Sequence, residues 1–76
     1  MKEWLIVTFE TEHAALHFST LCKQTGIAGR LMPIPRKLSA GCGIAWRSEP
    51  AWQDSIQTLI EEYSAELDCQ LVRVEL

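Results

Sequence analysis

The 76-residue sequence predicts an α+β domain of the ferredoxin-like type: β-α-β-β-α-β, a four-stranded antiparallel sheet with two helices on one face. Three observations predict it. Four short stretches, "EWLIVTFE", "IAGRLMPIP", "GIAWR" and "CQLVRVEL", are rich in β-branched, aromatic and other apolar residues. Two longer stretches between them repeat apolar residues at helical spacing. No linker, repeat or low-complexity tract interrupts that order, and the length suits one core, so a single domain is expected over residues 1–76.

The first strand places Leu5, Val7 and Phe9 on one face and Trp4, Ile6 and Thr8 on the other. Both sets are fairly apolar, as a central strand requires. Thr11 is the expected N-cap of the first helix, with Glu12 in the first turn, where the helix dipole favours an acid. In "EHAALHFSTLCKQTG", Ala14, Phe18, Leu21 and Cys22 form the apolar stripe, and Gly26 is the expected left-handed stop. Pro33 and Pro35 cannot donate to a ladder, so the second strand lies at an edge or ends there. In the third strand Ile44 and Trp46 share a face. The second helix is expected over "SEPAWQDSIQTLIEEYSAEL", capped by Ser48, with Pro50 in its first turn. Trp52, Ile56, Leu59, Ile60 and Tyr63 form its buried face. In the last strand Val72, Val74 and Leu76 face one way, and Leu71, Arg73 and Glu75 the other.

The apolar fraction of 47 % and charged fraction of 22 % suit a globular chain. No apolar run is long enough to span a bilayer, and acids interrupt the first one without a cleavage site after it. The expectation is a soluble, cytoplasmic protein with no membrane partner. A net charge of −3 argues against nucleic acid. Charge is segregated along the chain. Residues 23–47 hold Lys23, Arg30, Arg36, Lys37 and Arg47 and no acid, whereas residues 48–68 hold six acids and no base.

The segment between the two middle strands, "PIPRKLSAGCGIAW", carries the chemistry that stands out. Its connection, about residues 35–41, is longer than a tight turn. Gly41 and Gly43 flank Cys42, removing side-chain cover and freeing the backbone for positive φ. Arg36 and Lys37 precede it in the same loop, and Ser39 adds a hydroxyl donor. Nearby cations and converging amides favour thiolate over thiol, and thiolate is the nucleophile of sulfur chemistry. The competing structural reading is a small residue in a β-turn whose glycines serve geometry alone.

The other candidates are weaker. Cys22 sits on the apolar stripe, where core packing explains it. Cys69 opens the last strand without a basic neighbour, and would matter as a resolving thiol only beside Cys42. The cysteine spacings of 20 and 27 match no zinc pattern, and no resident metal or cofactor is expected. His13 and His17 have metal-clamping spacing, but Ala14 stands where the HExxH glutamate would be, so two solvated helix histidines are expected. Trp4 and Ile6 on an uncovered sheet face would make that face apolar and favour a partner or a homodimer.

At the loop the sequence resembles DUF3343, a family of small bacterial domains described as selenium/sulfur carrier protein-like. The resemblance rests on Phe9, Thr11, His13 and Ala14, then Pro33, Pro35, Arg36, Ser39, Gly41, Cys42 and Gly43. Lys37, Leu38 and Ala40 occupy positions expected to vary. The resemblance implies reduced sulfur or selenium carried on Cys42 as a persulfide or selenosulfide. It further implies a cysteine desulfurase-like donor and an acceptor protein, and a thiol carrier rather than a turnover enzyme. Two other readings compete. One is a non-catalytic regulatory or interaction module whose basic Gly-Cys-Gly loop binds a small anion. The other is a thiol-based metal or redox site needing Cys22, Cys69 or a histidine beside Cys42.

Overall fold

The computed structural model describes residues 2–34, 43–65, 67 and 69–75. Its elements are β1 (Glu3–Phe9), α1 (Glu12–Thr25), β2 (Arg30–Pro33), β3 (Ile44–Ser48), a 3-10 turn (Pro50–Trp52) leading into α2 (Gln53–Glu62), and β4 (Cys69–Glu75). The four strands form one sheet in the order β2-β3-β1-β4, every neighbouring pair antiparallel. This is the ferredoxin-like arrangement expected from the element order.

Strand alternation decides what the helices cover. Leu5, Val7 and Phe9 point to the helices and join Phe18, Leu21, Cys22, Trp46, Ile56 and Leu59 in one buried cluster. The register carries this face across the sheet, with Val7 opposite both Trp46 and Leu71, and Trp46 opposite Leu31. Aromatic packing runs through its middle. The Phe18 ring lies 5.5 Å from Phe9 and 5.1 Å from Trp46, the latter edge to face, an arrangement the ring quadrupoles favour.

The ends of α1 follow local chemistry. Thr11 has extended φ/ψ, and its hydroxyl accepts the Ala14 N–H at 3.1 Å. At the other end Gly26 takes φ 78°, and the N–H groups of Gly26 and Ile27 donate to the carbonyls of Lys23 and Cys22. That is the Schellman pattern, with buried Ile27 and Cys22 meeting in the core beneath it.

Three boundaries differ from the sequence expectation. β2 starts at Arg30 rather than Ile27, because Ile27 is spent on the helix stop and Gly29 on a close approach described below. Ser48 does not cap the second helix. It ends β3, buried, and its hydroxyl donates to the Ala28 carbonyl at 2.5 Å. The helical segment instead starts after Glu49, with Pro50 in its first turn and no side-chain cap. α2 ends at Glu62, short of Leu67, which is buried in the core from the turn that follows.

Trp46 is 1 % exposed and heads the largest fully buried side chains. Its indole lies close against Gly29 on the neighbouring chain segment. A methyl group added at Gly29 would run into the ring and into the Arg47 carbonyl. At Gly26, by contrast, there is open space, and only the left-handed backbone requires glycine. Gly29→Ala should therefore cost about 1–3 kcal/mol through overpacking and perturb the tryptophan near-ultraviolet signal. Gly26→Ala should cost about 1–2 kcal/mol through backbone strain and leave that signal unchanged. Urea unfolding and near-ultraviolet circular dichroism check both.

Candidate functional site

The strands β2 and β3 form the stem of a hairpin beneath the segment that holds Cys42. β2 and β3 pair from Arg30 opposite Arg47 to Pro33 opposite Ile44. One step further, the Ile34 N–H donates to the Gly43 carbonyl at 3.0 Å. The chain thus leaves and re-enters the sheet at adjacent, hydrogen-bonded positions. β2 is an edge strand that ends at Pro33, in keeping with a proline's lack of a ladder donor.

Of the residues expected to form the site, Gly43 is described. It is exposed, has φ 72°, and has nothing within 4 Å of where a Cβ would stand. Backbone conformation, not lack of room, reserves this position for glycine. Cys42, Arg36, Lys37, Ser39 and Gly41 lie outside the described residues.

The other two cysteines are placed clearly. Cys22 is 1 % exposed in the core, and burial pushes its thiol up to about 12. It is an inert packing residue. Cys69 is half-buried at the start of β4, opposite Phe9. That end of β4 lies at the same end of the sheet as the hairpin loop. The β1 strand separates β4 from β3, so Cys69 sits two strand spacings, about 10 Å, from the loop stem.

The two histidines differ in their surroundings. His13 is exposed, while His17 is half-buried with its ring edge-on to Tyr63 at 6.4 Å, tying α1 to the end of α2. The expectation of two solvated histidines holds for His13 alone. Among the described residues no group of three His, Cys, Asp or Glu side chains could hold a metal ion. No described helix is long and apolar enough to cross a membrane.

The sheet face away from the helices is less bare than its sequence suggests. Ile6 is fully buried there, between cross-strand neighbours Arg47 and Val72. Trp4 is half-buried, with Lys2 Nζ at 4.5 Å and the Arg47 guanidinium at 4.6 Å from its ring centroid. Lys2 also pairs with Glu49 at 2.8 Å, which holds the Glu49 carboxyl below its ordinary range. Nothing in the alternation of strand residues signalled these cation–π contacts. The proximity of Trp4 and Arg47 depends on a β1–β3 pairing that only the fold supplies.

The described cations of the basic sequence segment gather at one end of the fold. Arg30 opens β2, Arg47 nears the end of β3, and Lys23 lies in the last turn of α1, all at the end of the molecule opposite the loop.

A family model described as "Putative Se/S carrier protein-like" matches residues 4–69, a span that includes the whole hairpin and Cys42. No curated protein and no solved structure matches the chain.

The buried thiol has a measurable consequence. The unfolded chain ionises Cys22 near the usual thiol range, about 8.5, whereas the folded core resists it up to about 12. The folded state then binds more protons than the unfolded state across that window. Stability from this group is intact below it and is lost as pH rises through it. The urea midpoint should fall from about pH 9 upward, and Cys22→Ala, though less stable overall, should lose that part of the fall. Native alkylation at pH 8 should leave Cys22 unmodified.

Proposed function

The chain belongs to the Se/S carrier protein-like family, and from that premise we propose that it carries reduced sulfur or selenium on Cys42 between a donor and an acceptor protein. The observation that carries this reading is the family match spanning the Gly-Cys-Gly loop. The burial of Cys22 supports it, since a thiol pushed up to about 12 makes a poor nucleophile near neutrality. A cysteine in the connection between β2 and β3 also suits a carrier, which has to present one sulfur to two different proteins in turn.

The transfer is a thiol–disulfide-type exchange. The Cys42 thiolate attacks the outer, sulfane sulfur of a persulfide on a cysteine desulfurase-like donor. A new S–S bond forms at Cys42, the donor's S–S bond breaks, and the donor cysteine leaves as a thiolate with the electron pair. The sulfane sulfur keeps its oxidation state, so no external oxidant or reductant is needed. An acceptor thiolate then repeats the attack on the outer sulfur of Cys42–S–SH and regenerates the Cys42 thiolate. With selenium, the same position holds a selenosulfide.

The loop supplies the anion stabilisation that both steps use. Arg36 and Lys37 lower the energy of thiolate and persulfide anion, Ser39 offers a hydroxyl, and the amides flanked by Gly41 and Gly43 add oriented dipoles. The protein acts stoichiometrically, as a carrier rather than a turnover enzyme, and functions in the bacterial cytoplasm. It needs no resident metal or cofactor for this exchange.

Incubating the protein with a cysteine desulfurase and cysteine should add the mass of one sulfur atom by intact-mass spectrometry. Cys42→Ser should abolish the addition, and Cys22→Ala should leave it. No added sulfur on the parent protein, or addition that persists in Cys42→Ser, would contradict the carrier reading.

A further inference from the structure

Arg30 and Arg47 stand directly opposite each other on β2 and β3. Arg47 is in turn opposite Ile6, so both arginines start on the sheet face away from the helices. Like charges directly across a ladder repel. Among the described residues, no carboxylate relieves this pair: Glu49 is engaged by Lys2 and Glu3 by Arg73. A cation on an edge strand guards against unwanted strand pairing, which accounts for Arg30. It does not account for Arg47, because β3 is an interior strand.

Beside the two arginines a cleft of about 490 Å³ opens, lined among others by Trp4, Gly29, Arg30, Arg47 and Trp52. That volume is in the range of small-molecule sites. Trp4 and Trp52 are both half-buried, each leaving part of an indole accessible. Locally Lys2, Arg30 and Arg47 face one carboxylate, Glu49, in a chain whose net charge is −3. The cleft is therefore a positive spot on a negative protein. Cross-strand partners stand about 4.5–5.5 Å apart at Cα, so two guanidinium groups can converge on one anion.

We propose that this cleft binds a small anionic ligand, a phosphate or carboxylate group borne on an aromatic or other flat apolar body. The arginine forks match the planar, multi-oxygen anion, and the indoles take the body. A nucleic-acid strand fits less well. It would need successive aromatic platforms, and among the described residues Trp4 is the one aromatic on the open sheet face. The site goes beyond the carrier reading and does not rest on it. It lies at the far end of β3 from Gly43, about 13 Å away along the strand.

The test is titration of the full chain with phenyl phosphate, with inorganic phosphate as the bare-anion control. Tryptophan fluorescence and amide NMR shifts are the readouts. Phenyl phosphate should bind saturably and about 10-fold more tightly than phosphate, with shifts centred on Gly29, Arg30, Arg47 and the Trp4 indole. Arg47→Gln and Arg30→Gln should each weaken it by about 10-fold, while Lys23→Gln leaves it unchanged. Circular dichroism monitors folding, and Arg30→Gln, on an exposed edge position, keeps the test open should Arg47→Gln unfold. Non-saturating shifts, affinity unchanged from the parent protein in both arginine variants, shifts mapping elsewhere, or tighter binding of a single-stranded oligonucleotide would each overturn the proposal.

Discussion

The contact between Trp46 and Gly29 is the constraint on which the hairpin depends. The largest buried side chain of the domain lies on β3, two residues past the first residue of that strand. It fills the space between Phe18 of α1 and the bare backbone at Gly29. Any side chain at Gly29 would lift the approach to β2 away from β3, and a one-residue slip of β3 would turn Trp46 out to solvent. The indole therefore sets the register of the β2–β3 pair. That register delivers Ile34 and Gly43 to adjacent positions at the base of the cysteine loop. Core packing thus fixes the strand positions on either side of the segment that holds Cys42.

The same hairpin separates two kinds of chemistry. One end leads into the segment with Arg36, Lys37 and Cys42. The other end holds Arg30 and Arg47 beside Trp4, away from the helices. The acids of the following segment are carried largely by α2 and its flanks, where Asp54, Glu61 and Glu62 are exposed to solvent. The surface ion pairs, Lys2 with Glu49 and Arg73 with Glu3, are exposed and contribute little to stability. They matter more for which cations they leave without a carboxylate.

Much of the fold was legible because local and global signals agreed. Residues 3–9 read as a central strand apolar on both faces, and Leu5 to Phe9 are all buried; Thr11 and Gly26 marked both ends of α1 with side-chain and backbone chemistry that the structure displays. The second helix was harder. Ser48 had a capping residue's identity, but burial against the Ala28 carbonyl took its hydroxyl first. Leu67 kept the helical apolar spacing although the helix had already ended, since a core residue in a turn buries as well as one in a helix. At the site, Gly43 was readable as a positive-φ position, and Cys22 as core. The packing of Trp46 on Gly29 and the cations on Trp4 were not readable, since each joins segments that meet only through tertiary pairing. An isolated glycine inside a strand-like stretch was the one available hint of the former.

The central claim is that this loop keeps one cysteine reactive while the fold silences another. The thiol pKa of Cys42, read from the pH dependence of iodoacetamide alkylation at the Cys42 peptide, tests it most directly. The account predicts a midpoint clearly below the unperturbed value of about 8.5, with the Cys22 peptide unlabelled throughout. A Cys42 midpoint at or above about 8.5 would contradict it and favour the reading in which the loop binds an anion and the thiol is incidental.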